Sequence, residues 1–209
     1  MTLAFDETTR QRIKQRCAAF SRAASPAFEA TLKQAAVAIV LVAGDVPGEV
    51  AFVLTLRAAS LRAHSSQWAL PGGRCDAGEA AAEGALRELR EEVGLSLGKG
   101  DVLGLLDDYP TRSGYLITPV VMWAGANARL EPNPDEVASV HRIALADIAR
   151  TDAFDFVRIP ESDRRVIRFR HRGQLIHAPT AAMIYQFREM LAGRDTRVAD
   201  LEQPVFAWK

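Results

Sequence analysis

The stretch of sequence that decides the fold spans residues 71–95 and reads PGGRCDAGEAAAEGALRELREEVGL. Residues 79–93 within it carry apolar and charged side chains at helical spacing and contain no proline, so we predict a helix there. Gly94 follows directly, and glycine is the residue type that most often ends a helix. Gly72 and Gly73 stand before the helix and predict a turn, in which bare backbone can approach a ligand and offer a carbonyl oxygen to a metal.

Three glutamates of the predicted helix share one face, because Glu88, Glu91 and Glu92 are spaced i, i+3 and i+4. Like charges at that spacing repel one another, so the cluster favours a bound cation. Mg²⁺ is a hard divalent cation that proteins bind through carboxylate oxygens together with substrate phosphates. The alternative interpretation is a solvated acidic face, neutralised by the flanking Arg87 and Arg90.

The glycines and charged residues of this stretch also form one spaced pattern. In order, the pattern is Gly73, five residues, Glu79, seven residues, Arg87-Glu88-Leu89, one residue, Glu91-Glu92, one residue, Gly94-Leu95. It matches the Nudix box at every defined position, and the chain therefore resembles the Nudix hydrolase superfamily. The resemblance implies a fold of the α/β (α+β) class. The expected form is a Nudix-type α/β/α sandwich with a mixed sheet, in which the box is a loop–helix–loop.

The resemblance also implies an activity, the Mg²⁺- or Mn²⁺-dependent hydrolysis of a nucleoside diphosphate linked to another group. By box position, Glu88 and Glu92 are expected metal ligands, and Glu91 is a third ligand or the carboxylate that activates water. The carbonyl of Gly72 is a further expected ligand. Arg87 is expected to orient these carboxylates. Phosphoryl transfer needs this kind of positioning and charge neutralisation more than covalent chemistry.

Two further acidic residues have expected roles at this site. The resemblance implies that Glu79 pairs with the box arginine as structural support. Glu136 follows a predicted strand, at a place where several Nudix enzymes carry a carboxylate that completes the metal site or serves as the base. The alternative for Glu136 is an acidic residue that merely starts the next segment.

The substrate has to be read from segments outside the box. Residues 54–73 read LTLRAASLRAHSSQWALPGG and resemble the signature that precedes the box in coenzyme A pyrophosphatases of this superfamily. Residues 132–137 (PNPDEV) are also similar to that subfamily. The sequence departs from the signature at three positions, with Ala58 for serine, Ser66 for glycine and Leu70 for phenylalanine.

Arg57 and Arg62 match the arginines of that signature, and guanidinium groups bind phosphates through two parallel hydrogen bonds. We expect both, together with Gly73, to bind the substrate. Cleavage of coenzyme A would give 4′-phosphopantetheine and adenosine 3′,5′-bisphosphate. Other conjugates, namely ADP-ribose, an ADP-sugar, a dinucleotide or an oxidised deoxynucleoside triphosphate, remain alternatives. A further alternative is that the protein is a catalytically silent Nudix-fold regulator that binds a nucleotide.

Composition narrows the class of protein. The 209 residues include 26 Lys and Arg against 26 Asp and Glu, so no global positive charge argues for a nucleic-acid partner. No apolar run approaches the length of a membrane span, and two cysteines fit a reducing compartment. We therefore expect a cytoplasmic enzyme with a small-molecule substrate. Phe206 and Trp208 are too apolar for a free tail, so they are expected to pack on the core or on a second subunit of a homodimer.

The remaining elements are predicted from hydrophobic periodicity and turn residues. We expect residues 1–209 to form a single Nudix domain, with an N-terminal helix over 6–22 capped by Asp6 or Thr8, and a C-terminal hairpin–helix extension over 151–209. Residues 151–177 include six arginines. The segment could therefore form a lid, a dimer contact or further contacts with phosphate. The other predicted elements are strands over 35–43 and 50–56 that form a hairpin, strands over 101–108 and 115–123, a helix over 145–150, a hairpin of 165–170 with 174–177, and a helix over 180–191.

Overall fold

An eight-stranded mixed sheet and a three-stranded sheet form the framework of the computed structural model, which describes residues 3–23, 31–60 and 66–205. In chain order, strands β1 to β11 are Lys33–Ala43, Val50–Arg57, Trp68–Ala69, Gly72–Arg74, Val102–Leu105, Tyr109–Pro110, Tyr115–Trp123, Val137–Ala144, Phe154–Ile159, Ser162–His171 and Gln174–His177. Helices α1 to α4 are Glu7–Ala19, Ala81–Val93, Leu145–Ala149 and Thr180–Leu191.

Strand β1 lies at the centre of the larger sheet and is buried on both faces. It runs parallel to β7, whereas β2 and β4 pair with it in the antiparallel sense, which makes the sheet mixed. Its side chains alternate between the two faces. Ala36, Ala38 and Val40 pack on the side of α2, while Ile39 and Leu41 face the opposite core. An apolar strand of this kind requires a cover on each face.

The segment that leads into the box is built into the centre of the sheet. β1 and β2 pair with each other only at one end, through residues 41–43 and 50–52. The two strands then separate, and residues 68–74 fill the space between them. Within that space β3 pairs with β2, and β4 pairs with β1 through residues 35–37. The predicted turn at Gly72 and Gly73 is therefore wrong, because both glycines belong to strand β4.

Helix α2 covers one face of the sheet. Leu89 and Val93 on its apolar side are fully buried, and each such side chain contributes roughly 1.5–3 kcal/mol. Helices α1 and α4, with the three-stranded sheet β11–β10–β9, belong to the core on the other face. These layers form an α/β/α sandwich with a mixed sheet and confirm the predicted fold class.

Several predicted elements are confirmed, and others are displaced. The strand over 115–123 and the helix over 180–191 are found as predicted. The N-terminal helix is shorter than 6–22, and Asp6 caps it by accepting a hydrogen bond from the Thr9 N–H at 2.7 Å. The box helix begins two residues late, because residues 76–79 form a turn before it, with Gly78 in the left-handed conformation (φ +80°). The strand over 101–108 is reduced to β5, and the strands β8 and β9 were not predicted.

The C-terminal segment packs on one face of the larger sheet. Strands β9 to β11 form a meander in which the predicted hairpin of 165–170 with 174–177 is found, and α4 follows at residue 180. The Tyr109 hydroxyl donates to the carbonyl of Leu201 at 2.6 Å and connects the end of this segment to the larger sheet. Phe206 and Trp208 lie outside the described residues. None of the helices in the described parts of the chain is long and apolar enough to span a membrane.

Candidate active site

Two glycines place backbone directly beside the acidic face of α2. A Cβ atom at Gly72 would lie 2.3 Å from the Ala36 carbonyl oxygen, so only glycine fits this close pairing with β1. A Cβ atom at Gly73 would lie 2.5 Å from Glu88 Oε1. The strand β4 backbone therefore touches the carboxylate of Glu88, and any larger residue would displace it.

Glu92 is the most deeply placed carboxylate of the box, with 2% of the residue exposed. Its Oε2 accepts a hydrogen bond from the Gly72 N–H at 3.1 Å, and its Oε1 lies 3.3 Å from Arg57 Nη1. Burial raises the pKa of Glu92 to about 7, against the opposing effects of the Gly72 N–H and Arg57. Glu92 thus joins the acidic helix to the glycine strand and to the end of β2.

Arg87 connects the other carboxylates of the box. Its Nε and Nη2 donate to the two carboxylate oxygens of Glu79 at 3.0 Å each, which forms a bidentate pair. Its Nη1 donates to Glu88 at 2.8 Å and to Glu91 at 3.1 Å. Its Nη2 also donates to the carbonyl of Arg74 at 3.0 Å. The structure therefore brings Arg87, Glu79, Glu88 and Glu91 together, in the arrangement that the box pattern led us to expect.

The loop that carries Glu136 contacts both the box helix and strand β2. It is joined to the end of α2, because the Asn133 N–H donates to the Glu92 carbonyl at 2.9 Å. The Ala58 N–H donates to the carbonyl of Glu136 at 2.9 Å, which holds the loop against the end of β2. Burial raises the pKa of Glu88, and the charge of Glu136 adds to that rise. The two hydrogen bonds thus hold the loop of Glu136 between the end of α2 and the end of β2.

The donor set of this site fits a hard divalent cation. The candidates are carboxylate oxygens of Glu88, Glu91, Glu92 and Glu136 and the backbone of Gly72, with no nitrogen or sulfur ligand among them. Among the described residues, no three His, Cys, Asp or Glu side chains converge closely enough to hold an ion by themselves. Mg²⁺ is commonly held by one or two carboxylates, with phosphate oxygens and water completing the shell. The residues therefore fit Mg²⁺ or Mn²⁺ held jointly with a phosphorylated substrate.

A cleft of about 710 Å³ opens beside the glycine strand. Arg57, Gly72 and Gly73 line one end of it, so these residues border both the cleft and the acidic cluster. Arg57 and Gly73, which we expected to bind the substrate, thus both line this cleft. Arg62 lies outside the described residues, and its expected role stays a prediction.

The part of the cleft wall that β11 and α4 contribute was not predicted. Leu175 on β11 and Met183 on α4 line it, together with Trp68. Trp68 Nε1 donates to Gln174 Oε1 at 2.6 Å, and the Trp68 ring lies 4.6 Å from the His141 ring. The one sequence signal for this wall is the predicted hairpin of residues 165–177. Periodicity could not show that this hairpin folds back onto the segment before the box.

Comparisons with known proteins agree with this geometry. Residues 32–161 match the family model of the NUDIX domain. The uncharacterized Nudix hydrolase NudL of Pectobacterium atrosepticum is 34% identical over 166 residues, which cover 78% of this chain and 84% of that protein. NudL of Citrobacter koseri is 39% identical over 119 residues, which cover 56% of this chain and 60% of that protein.

The fold is also found among solved structures. The crystal structure of a MutT/nudix family protein from Enterococcus faecalis aligns with a TM-score of 0.58. The alignment covers 94% of this chain and 78% of that chain, at 14% sequence identity, so it supports the fold alone. From the matched domain and the similarity to NudL, we conclude that the chain belongs to the Nudix family and is a Nudix hydrolase.

Proposed function

We propose that this protein is a Mg²⁺- or Mn²⁺-dependent pyrophosphohydrolase whose substrate is coenzyme A or one of its derivatives. Nudix hydrolases generally use divalent metal ions and act on nucleoside diphosphate derivatives. The observation that carries the proposal is the position of Arg57. Its guanidinium lies 3.3 Å from Glu92 and lines the cleft, so it borders both the acidic cluster and the space for a substrate.

We assign the metal to Glu88, Glu92 and the carbonyl of Gly72, with Glu91 as a further ligand or the base. The bound metal would polarise a phosphoryl oxygen and lower the pKa of water. Arg87 holds Glu88 and Glu91 at fixed positions through one nitrogen atom. Arg57 supplies positive charge for a phosphate group at the mouth of the cleft. A carboxylate oxygen of Glu91 or Glu136 takes the proton from the attacking water.

The backbone conformation at Ser66 supports the coenzyme A signature despite the substitution there. Ser66 replaces the glycine of the signature and has φ +57°, in the left-handed region that favours glycine. Position 66 therefore adopts a backbone conformation for which glycine is suited. Leu70, which replaces the phenylalanine of the signature, is buried in the core and also lines the cleft.

A substrate screen tests this proposal. Coenzyme A, ADP-ribose, NADH, a diadenosine polyphosphate and an oxidised dGTP are incubated with the enzyme and Mg²⁺ or Mn²⁺, and the products are resolved by chromatography. We expect coenzyme A to be preferred and to yield adenosine 3′,5′-bisphosphate. A preference for another conjugate would keep the Nudix activity and refute the coenzyme A assignment. Binding of nucleotides without turnover of any would favour the silent regulator.

The same assay tests Arg57. We expect Arg57→Ala to raise KM for coenzyme A more than for dephospho-coenzyme A, which lacks the 3′-phosphate. Equal losses on the two substrates would show that Arg57 does not bind that phosphate. Arg158→Ala is the matched control, because Arg158 is exposed on β9 and is not among the residues that line the cleft.

The proposal also covers the cellular location and the oligomeric state of the protein. Cys17 and Cys75 are buried free cysteines, and burial raises the pKa of both thiols, which suits an unreactive structural role in a reducing cytoplasm. A homodimer stays a prediction, and light scattering of the purified protein measures it. We further propose that residues 1–209 act as one Nudix unit, with the C-terminal extension as part of it.

A further inference from the structure

We propose that the C-terminal extension forms the subsite for the non-nucleotide arm of the substrate, and that this subsite selects a flexible aliphatic arm over a sugar. The inference rests on the proposed function for the diphosphate end of the cleft. It concerns residues 174–183, which lie beyond residues 32–161 that match the NUDIX domain.

The cleft is chemically divided along its length. Among the described residues that line it, the arginines Arg57 and Arg74 stand at the end near the glycine strand, and no aspartate or glutamate is present. In the other part of the lining, residues 174–183 contribute the apolar Leu175, Ile176, Pro179 and Met183, beside the polar Gln174, His177 and Thr180. A diphosphate suits the first end, and an uncharged, extended chain suits the second.

Leu175 is the residue that points to a ligand. Leu175 is 39% exposed. Among the described residues, Val46 is the one other large apolar residue that is exposed to this extent or more. Val46 lies in the turn between β1 and β2, whereas Leu175 lines the cleft. When an aliphatic ligand covers this side chain, apolar area of both is removed from water, which stabilises the complex.

The wall is held in a fixed position against the box strand. Trp68 Nε1 donates to Gln174 Oε1 at 2.6 Å, beside Leu175. The Thr180 hydroxyl donates to the carbonyl of Trp68 at 3.3 Å, at the start of α4. These two hydrogen bonds join the extension to the strand that leads directly into Gly72. The length of the cleft is therefore set before a substrate binds, which favours selection by shape.

Uncharged polar side chains also line the cleft. They are Thr111, Ser113 and Gln203, of which Thr111 is bonded to the Tyr115 backbone and Gln203 Oε1 accepts from the Arg112 N–H. A pantetheine arm combines aliphatic segments with two amide groups and carries no charge. Its chemistry thus matches a lining that is partly apolar and partly polar but uncharged.

A binding experiment tests the subsite without requiring catalysis. Pantetheine, which has no phosphate, is titrated into the wild type, Leu175→Asn and Val46→Asn, and binding is followed by calorimetry. Leu175 lies on an edge strand of the smaller sheet, where polar residues are tolerated. We expect pantetheine to bind the wild type and Val46→Asn equally, and Leu175→Asn more weakly by about fivefold or more. Absent binding to the wild type, or equal binding to all three, would overturn the proposal.

A kinetic experiment tests the selection between arms. Dephospho-coenzyme A and ADP-ribose share the ADP half and differ in the arm. We expect Leu175→Asn to lower kcat/KM for dephospho-coenzyme A by about fivefold or more and to leave that for ADP-ribose within about twofold. An equal loss of kcat/KM for dephospho-coenzyme A and ADP-ribose would overturn the proposal. If the wild type hydrolyses neither these two compounds nor coenzyme A but binds pantetheine through Leu175, the proposed function fails and the arm subsite stands.

Discussion

Replacement of Arg87 by lysine tests whether the guanidinium fork organises the acidic cluster. Arg87 makes five hydrogen bonds, two to Glu79 and one each to Glu88, Glu91 and the Arg74 carbonyl. Lysine keeps the charge but carries its donors on one nitrogen, so it cannot span Glu79 and reach Glu88 as well. We expect at least two of these bonds to be lost, since their geometry depends on the planar fork.

The magnitude follows from those bonds. Hydrogen bonds to charged groups contribute about 1.5–3 kcal/mol each, and partial exposure reduces the figure here to about 1 kcal/mol. We therefore expect Arg87→Lys to lower the free energy of unfolding by about 2 kcal/mol. We also expect kcat to fall by about tenfold or more, with KM little changed, because misplaced carboxylates affect the reaction more than binding.

Urea denaturation and steady-state kinetics measure both effects, and Arg90→Lys is the matched control. Arg90 lies on the same helix, is 62% exposed at its side chain and approaches Glu91 only to 3.9 Å. We expect the control to change stability by less than about 0.5 kcal/mol. If Arg87→Lys and Arg90→Lys behave alike, the fork does not organise the site.

Two further predictions concern stability. Ser66 has φ +57°, so Ser66→Gly should leave the free energy of unfolding unchanged or raise it by up to about 1 kcal/mol. Ser66→Val should lower it by about 1–2 kcal/mol, as measured by urea denaturation. Equal stability of the two variants would refute the left-handed conformation. The paired Arg112 lowers the pKa of the buried Glu202 to about 2, so this carboxylate stabilises the fold fully above its ordinary pKa of 4.5 and loses that effect as pH falls toward 2. Between pH 6 and pH 2 the free energy of unfolding should fall by about 2 kcal/mol more for the wild type than for Glu202→Gln. The figure is no larger because solvent reaches Arg112 and weakens the ion pair. Parallel pH profiles of stability for the two proteins would contradict this prediction.

The sequence predicted the box helix and the grouping of its acidic residues because both depend on local spacing. Residues three and four apart share a helical face, so Glu88, Glu91 and Glu92 were placed together without knowledge of the fold. Gly94 ends the helix in the left-handed conformation, with φ +70°, as its position after the last apolar residue indicated.

Other parts of the structure depend on contacts between distant residues. Gly72 and Gly73 look like a turn in isolation and become a strand only because β1 and β2 separate and leave unpaired backbone groups. The contact of Arg57 with Glu92 spans 35 residues of sequence. The cleft wall at Leu175 similarly requires the extension to return to Trp68, a contact that no short pattern encodes.

The measurement that tests the central claim most directly is metal-dependent turnover of coenzyme A by Glu92→Gln. Glutamine keeps the size of the buried side chain and removes its charge. Glu83→Gln is the control, because Glu83 lies on the same helix but pairs with Lys99 at 2.7 Å, away from the cluster. We expect Glu92→Gln to lower kcat by roughly two orders of magnitude or more with the fold intact by circular dichroism, and Glu83→Gln to remain active. Turnover by Glu92→Gln at the wild-type rate would contradict the assignment of Glu92 to the metal site.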